Sequence, residues 1–381
     1  MKPLVSIGKA PDYGVSSLKQ IIYDCVNNIG GFGAIVGRSD KVLLKPNLLR
    51  SANPQQAAVT HPAFVEAVAS LIIDHGAKVS LGDSPPLGNL NKVLSKSGYD
   101  DFMRNMDIKP CPFTKRRSLD CSDGRVYRRL DLAEEVFEFD KVINLPKVKT
   151  HCQMGLTLAV KNLFGVVVGT DKASWHLRAG KNIDDFATVL VQIFEQIRPA
   201  ISIVDGILGM EGNGPNSGKP RFIGLVAAGR DPVALNTVIA TLLDFPIEAL
   251  RTSIIGEQMG LGITDLSRIE VIGDELNEFP LTDFERPKSM SMAWNLSYCN
   301  PVRRFLENHI ITKPAIDTFV CQNCGVCMSH CPPGAIYVKN GATKIDRRKC
   351  ISCFCCHELC GNNAVKIVEP YLGRLLSSAS R

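Results

Sequence analysis

Cysteine recurs on a fixed spacing near the end of this chain, and that recurrence limits what the region can be. Cys321, Cys324, Cys327 and Cys331 follow C-x2-C-x2-C-x3-C, and Cys350, Cys353, Cys356 and Cys360 repeat the pattern 29 residues later. Nine of the 14 cysteines fall between Cys321 and Cys360. The opening Met1-Lys2-Pro3-Leu4-Val5-Ser6-Ile7 turns polar too soon for a signal-peptide apolar region, and no stretch reaches the roughly 18 apolar residues of a membrane span. We therefore expect a cytoplasmic, reducing setting, where a dense thiol cluster holds metal rather than disulfides.

Three thiolates two residues apart wrap one face of a cubane, and the fourth, three residues on, reaches toward the neighbouring cluster. The spacing therefore assigns one [4Fe-4S] cluster to Cys321, Cys324, Cys327 and Cys360, and a second to Cys350, Cys353, Cys356 and Cys331. Zinc knuckles would leave the third cysteine of each triplet without a purpose. The block resembles bacterial-type two-cluster ferredoxins, which implies a small α+β domain over residues 316–369 that passes electrons. Gly361 stands where many such domains place proline, and Cys355 is an extra thiol that we read as spare and buried. A slight basic excess in the block suits an internal relay or a dock for an acidic ferredoxin.

The preceding residues read differently. A chain of 381 residues, 45% hydrophobic and 22% charged, excludes collagenous and largely disordered classes and can bury a large core. Short β-branched runs at Leu4 to Ile7, Val42 to Leu44, Lys78 to Leu81, Val142 to Leu145, Ile201 to Val204, Phe222 to Ala227 and Ile269 to Ile272 are expected strands. Helix-period segments at Ser16 to Asn28, Pro62 to His75, Ile183 to Ile197 and Pro232 to Leu243 lie between them. This alternation predicts an α/β fold over residues 1–273, a mainly parallel sheet with helices on both faces. Residues 274–315 are expected to connect, with a short helix near Val302 to Asn308, and residues 370–381 to form a frayed or docking tail.

Several expected strand ends carry polar groups, and open α/β sheets bind ligands there. Lys147, Lys149, His151, Lys161, Lys172 and His176 form a cationic set near Asn162, Gly165 and Gly169, with Lys45 and Asn47 at one further strand end and Asp83 at another. Such a set suits an anion. We expect Lys147, Lys149, His151, Lys161 and His176 to act in catalysis as charge stabilisers or proton carriers. Lys45, Asn47, Asp83, Asn162, Lys172 and Glu211 are expected to bind substrate. His61, Asp83, His151 and His176 offer an alternative metal set, and Cys152 a thiol beside His151. The glycine-rich Gly206 to Lys219 run lacks a Gly-Lys-Ser/Thr ending, which argues against a phosphate loop, and reads as a mobile lid carrying Glu211. No G-x-G-x-x-G follows the first strand, and no flavin or other organic-cofactor motif is visible.

The strings Pro146-Lys147-Val148-Lys149-Thr150-His151 and Val160-Lys161-Asn162-Leu163-Phe164-Gly165 resemble domain-of-unknown-function family 362. Lys45-Pro46-Asn47, Thr60-His61-Pro62 and Gly82-Asp83-Ser84-Pro85 add to the resemblance, which covers roughly residues 1–240. Several members of that family end in a two-cluster ferredoxin domain, so the resemblance implies architecture more firmly than activity.

These features suggest an iron-sulfur oxidoreductase that delivers low-potential electrons through two [4Fe-4S] clusters to an anionic small molecule. The donor would be an external ferredoxin or flavodoxin. The alternative is an electron-transfer or maturation module that docks on a protein and turns over no substrate of its own. A net charge of +6 is mild for a nucleic-acid binder and no aromatic platform accompanies the lysines, so no nucleic acid and no membrane span are expected; a homo-oligomer is left open. Anaerobically prepared protein should carry about eight irons and about eight acid-labile sulfides per chain. Iron and sulfide assays with about two zinc ions instead would overturn the cluster assignment.

Overall fold

The β-branched runs punctuated by glycine and proline become strands of one large sheet. The computed structural model describes residues 2–86, 88–169, 171–279, 283–288, 312–368 and 370. In chain order its elements are β1 (Leu4–Lys9), α1 (Val15–Asn27), β2 (Lys41–Pro46), α2 (Pro62–Asp74), β3 (Lys78–Asp83), α3 (Leu90–Lys96) and α4 (Asp100–Asn105). Next come β4 (Lys109–Pro112), β5 (Arg116–Asp120), β6 (Arg129–Ala133), β7 (Lys141–Leu145), β8 (Lys147–His151) and β9 (Gly155–Thr157). Then follow α5 (Ala159–Asn162), α6 (Asp171–Ala179), α7 (Ile183–Ile197), β10 (Ile201–Glu211), β11 (Lys219–Gly229), α8 (Pro232–Leu242), α9 (Arg251–Gln258) and β12 (Glu270–Gly273).

The ten-stranded sheet runs β12-β1-β11-β10-β7-β2-β3-β4, with β8 paired to β10 and β9 to β8. Pairing is parallel except at β1–β11, β10–β11 and β8–β9, so the fold is a mainly parallel α/β sheet. Side-chain alternation divides the strands between two cores. Val42, Leu44, Ile143 and Ile203 join α1 and α2 on one face; Leu43 and Val142 meet α7, and Val204 and Leu225 meet α8, on the other. Asp231 caps α8 by accepting hydrogen bonds from the Val233 and Ala234 amides at 2.8 and 3.0 Å, with Pro232 at the first helical position.

Two expectations for this region change. Lys147–His151, taken from sequence as a polar strand end, is itself strand β8 and every one of its residues is buried. The Gly206 to Lys219 run is no mobile lid. Its first half extends β10 to Glu211, and β10 pairs antiparallel with β11 out to Glu211 opposite Lys219, leaving a turn at residues 212–218.

The cysteine-rich region forms two small antiparallel pairs, β13 (Lys313–Ile316) with β16 (Val365–Val368) and β14 (Ile336–Lys339) with β15 (Ala342–Ile345). Its sequence repeat is also a backbone repeat. Left-handed residues recur 29 positions apart as Asn323 and Ser352, Gly325 and Phe354, and Gly334 and Asn363. The Cys321 and Cys350 amides donate to the Asp317 and Asp346 carbonyls. The Ala335 and Ala364 amides each donate to a thiol at 3.2 Å, Cys331 and Cys360 respectively.

The turn between β10 and β11 holds this region against the sheet. Ser217 Oγ donates to Asn363 Oδ1 at 2.8 Å, and the His357 ring bridges the Val365 and Asn213 carbonyls at 2.7 and 3.1 Å. The helix expected near Val302 to Asn308 and the expected tail from Leu372 to Ser378 lie outside the described residues.

Candidate functional site

Buried ammonium groups must find acceptors, because desolvating an unpaired charge costs several kcal/mol. At the ends of β2 and β3, Lys45 Nζ meets Asp83 Oδ1 at 3.2 Å and the Pro46 carbonyl at 3.0 Å. Asp83 also accepts from the Leu48 and Ser84 amides at 2.9 and 2.8 Å. Gly165 has no side chain for a reason visible here: a Cβ would lie 2.1 Å from Asp83 Oδ1 and 2.4 Å from Lys45 Nζ.

This pair lines a cavity that opens to solvent. Lys149, Lys161, Lys172, His151, His176, Asn47 and Asn162 line it, with Phe164, Leu48, Leu49 and Pro215 as apolar wall. A further part of the wall comes from the cysteine-rich region through His330, Cys355, Glu358 and Leu359. His330 precedes Cys331, and Cys355 lies between Cys353 and Cys356, so the cavity borders the second thiol set.

The lysines differ in how they are satisfied. Lys149 donates to Asn47 Oδ1 at 2.6 Å and to the Ala58 carbonyl at 2.8 Å; burial drives its pKa down to about 7, against the pull of Glu358. Lys172 donates to the Ser84 carbonyl at 2.7 Å and to the Val167 carbonyl, and burial lowers it to about 7 as well, against the attraction of Asp83. Lys161 Nζ lies over Phe164 and Phe186, 5.3 and 5.7 Å from the ring centroids. Its pKa is lowered by burial and supported by Glu358.

His151 Nδ1 accepts from the Gln153 and Met154 amides at 3.1 and 3.2 Å, which places the proton of the neutral ring on Nε2. Burial, then Lys161, hold its pKa down to about 4. Its Nε2 lies 2.9 Å from Glu358 Oε1, but the two are not aligned for a hydrogen bond, so both retain unmet capacity. Burial pushes the Glu358 carboxyl up, while His151, Lys161 and His176 pull it well below the usual carboxylate range. His176 stacks on Phe186 at 4.1 Å with Nδ1 unpartnered, and burial lowers it to about 3.

Two expected site residues lie elsewhere. Lys147 Nζ is held by Asp205 Oδ2 at 2.7 Å and by the Tyr13 hydroxyl at 2.8 Å, in a fully paired cluster away from the cavity. Glu211 accepts from the Glu285 amide at 3.2 Å at the far end of β10. The alternative metal set does not assemble, because His61 stacks on Tyr13 at 3.7 Å outside the cavity and its Nδ1 accepts from the Ala63 amide. Cys152 is buried with Sγ 2.7 Å from the Gly214 carbonyl. Glu358, His330 and Cys355 are among the lining residues that sequence reasoning missed or set aside. A signal existed for Cys355 and Glu358: at the same repeat positions the first half carries Val326 and Ser329.

The thiols gather as two electrostatically connected sets. Cys327 feels Cys360, Cys321 and Cys324; Cys331 feels Cys353 and Cys350; Cys356 feels Cys353 and Cys350 first. With the repeated left-handed turns and amide-to-sulfur bonds, these residues fit a pair of cubanes.

Residues 42–241 match the family described as Domain of unknown function (DUF362), and residues 313–361 match a 4Fe-4S dicluster domain. The chain belongs to the first family, and its second domain carries two [4Fe-4S] clusters. A relative, the thylakoid-associated protein sll1697 of Synechocystis sp., is 40% identical over 260 residues, covering 68% of this chain and 80% of that protein. The dihydromethanopterin reductase (acceptor) of Methanosarcina mazei is 46% identical over 66 residues, 16% of this chain and 28% of that protein. Among solved structures, the lactate racemase apoprotein of Thermoanaerobacterium thermosaccharolyticum aligns with a TM-score of 0.40 at 10% identity, over 61% of this chain and 55% of that one. No helix among the described residues is long and apolar enough to cross a membrane.

Replacing Gly165 with alanine should force Lys45 and Asp83 apart and cost about 3 kcal/mol or more, the scale for breaking a buried pair. Thermal unfolding measures this; an unchanged midpoint would show that the pair yields without loss.

Proposed function

We propose that this protein is an iron-sulfur oxidoreductase that reduces an anionic small molecule in the cavity between its two regions. The observation that carries the reading is the mixed wall: Lys149, Lys161 and Lys172 from the α/β region face His330, Cys355 and Glu358 from the cluster region across one space. In this reading the α/β domain spans residues 1–273 and the cluster domain residues 316–369. One set of thiolates is Cys321, Cys324, Cys327 and Cys360, and the other is Cys350, Cys353, Cys356 and Cys331. When bound there, the two clusters supply one-electron transfer between an external donor and the cavity.

The chain's own residues have separable roles. Lys161, held by ring faces rather than by a carboxylate hydrogen bond, holds the anion and stabilises negative charge that develops on it. Lys149 and Lys172, with pKa values of about 7, can pass a proton near neutrality. His151, its Nδ1 occupied, donates a hydrogen bond from Nε2 and orients the ligand. Leu48, Leu49 and Phe164 keep water from one side.

The outer face suits the donor. Cys324 is exposed, and close to it in sequence Phe319 is 100% exposed, with Val320 and Met328 partly so. A ferredoxin or flavodoxin of the cytoplasm would dock there, and its acidic surface would meet Lys339, Lys344 and Arg348.

Binding of succinate, followed by calorimetry, should weaken as pH rises from 6 to 8.5. Below about 7 Lys149 and Lys172 are protonated and attract the anion, and above it they lose that charge. Glu358, Lys161, Lys147 and Arg50 act on Lys149; Asp83, Lys45, Lys161 and Asp171 act on Lys172. A flat profile would remove these two lysines from anion binding. Lys161→Ala should lower succinate affinity about tenfold or more, the scale of a charged contact. Unchanged succinate affinity in that variant would refute the site.

A further inference from the structure

Around the cavity, buried groups with unmet hydrogen-bonding capacity are of two kinds. His151 Nε2 carries a proton and lacks an aligned acceptor; Glu358 Oε1 is an acceptor that lacks an aligned donor; His176 Nδ1 is also unpartnered. The Lys161 ammonium, facing ring surfaces, has donors to spare. Buried polar atoms are rarely left unsatisfied in a folded chain, and a cluster of them lining one cavity marks groups waiting for a ligand.

A simple carboxylate would satisfy only the donors and would bring its charge against Glu358. A ligand that offers both an N–H and a C=O satisfies both kinds at once. The apolar share of the wall, Leu48, Leu49, Phe164, Pro215 and Leu359, calls for a hydrophobic body behind that polar edge, and because the cavity opens to solvent a ring system can extend out of it.

We infer that the cavity binds a heterocycle with a cyclic-amide edge, its carbonyl on Lys161 and His151 Nε2–H and its ring N–H on Glu358. This rests on the cavity being the ligand site proposed above, and it names the ligand's chemical class. Glu358 is then the specificity-determining residue: supplied by the cluster region, it admits ligands with a ring N–H, and the binding edge is incomplete unless that region is docked. The anionic character of the ligand would reside in a substituent or in charge gained at the carbonyl, where Lys149 and Lys161 stand.

The test uses the full-length, cluster-loaded protein in anaerobic equilibrium dialysis against lumazine, a bicyclic ring with N–H and C=O edges, and against 1,3-dimethyllumazine, which lacks the N–H groups. Lumazine should bind at one saturable site at least tenfold more tightly than the dimethyl form. Glu358→Ala should remove most of that preference, and Glu358→Gln, which keeps an acceptor oxygen, should remove less of it, with the cluster absorbance unchanged in both. Equal binding of the two probes, or a preference untouched by Glu358→Ala, would overturn the amide-edge assignment. If a variant loses its cluster absorbance, the comparison of the two probes on the unsubstituted protein alone decides. Succinate binding that still depends on Lys161 alongside indifference to N-methylation would sink this inference alone, whereas succinate binding independent of Lys161 would sink the site itself.

Discussion

Burial of lysine at the strand ends, with fewer carboxylates than ammonium groups, is the constraint around which this molecule is organised. Each ammonium finds a different solution. Lys147 and Lys45 take Asp205 and Asp83 as partners. Lys149 and Lys172 settle for neutral oxygens, so burial brings them near neutrality in pKa. Lys161 is left with ring faces, and the nearest compensation is Glu358, which belongs to the other region of the chain. The cationic surplus therefore ties the sheet to the cluster region electrostatically, and it concentrates reactive potential at one wall.

The cluster region meets that wall through departures from its own repeat. Where the first half has Val326, Met328 and Ser329, the second has Cys355, His357 and Glu358. Those three substituted positions all make contacts there: Cys355 and Glu358 line the cavity, and His357 reaches the Asn213 carbonyl. The first half reaches the cavity through His330 and also carries the exposed Phe319 and Cys324. The two halves of a symmetric sequence device thus make different contacts with the sheet. The β10–β11 turn provides the matching dock, where Ser217 holds Asn363.

Much of the fold was legible because hydrophobic periodicity reports burial. α7 spans the same residues, Ile183–Ile197, in sequence reading and in structure, and the parallel strands fell near their expected places. β8 was not legible, since Lys147, Lys149 and His151 carry polar heads and yet lie buried; only their distant partners, Asp205, Asn47 and the Ala58 carbonyl, make that tolerable. The glycines of the Gly206 to Lys219 run suggested freedom, whereas close packing demanded them. A Cβ at Gly214 would lie 2.2 Å from the Thr150 carbonyl, and one at Gly209 2.5 Å from Ile223.

Cluster chemistry and architecture follow from local facts. Thiol spacing sets which cysteines can share a cubane, and alternating periods set a parallel sheet with helices on its two faces; neither depends on distant residues. The cavity has the opposite character. Lys147 and Lys149 stand two residues apart on one strand, but their heads go to different places because Asp205 sits beside one and Asn47 beside the other. Glu358, nearly 200 residues from Lys161 in sequence, meets the same cavity because the β10–β11 turn brings the cluster region onto the sheet. Charge partners across such separations are set by packing, which no spacing rule along the chain encodes.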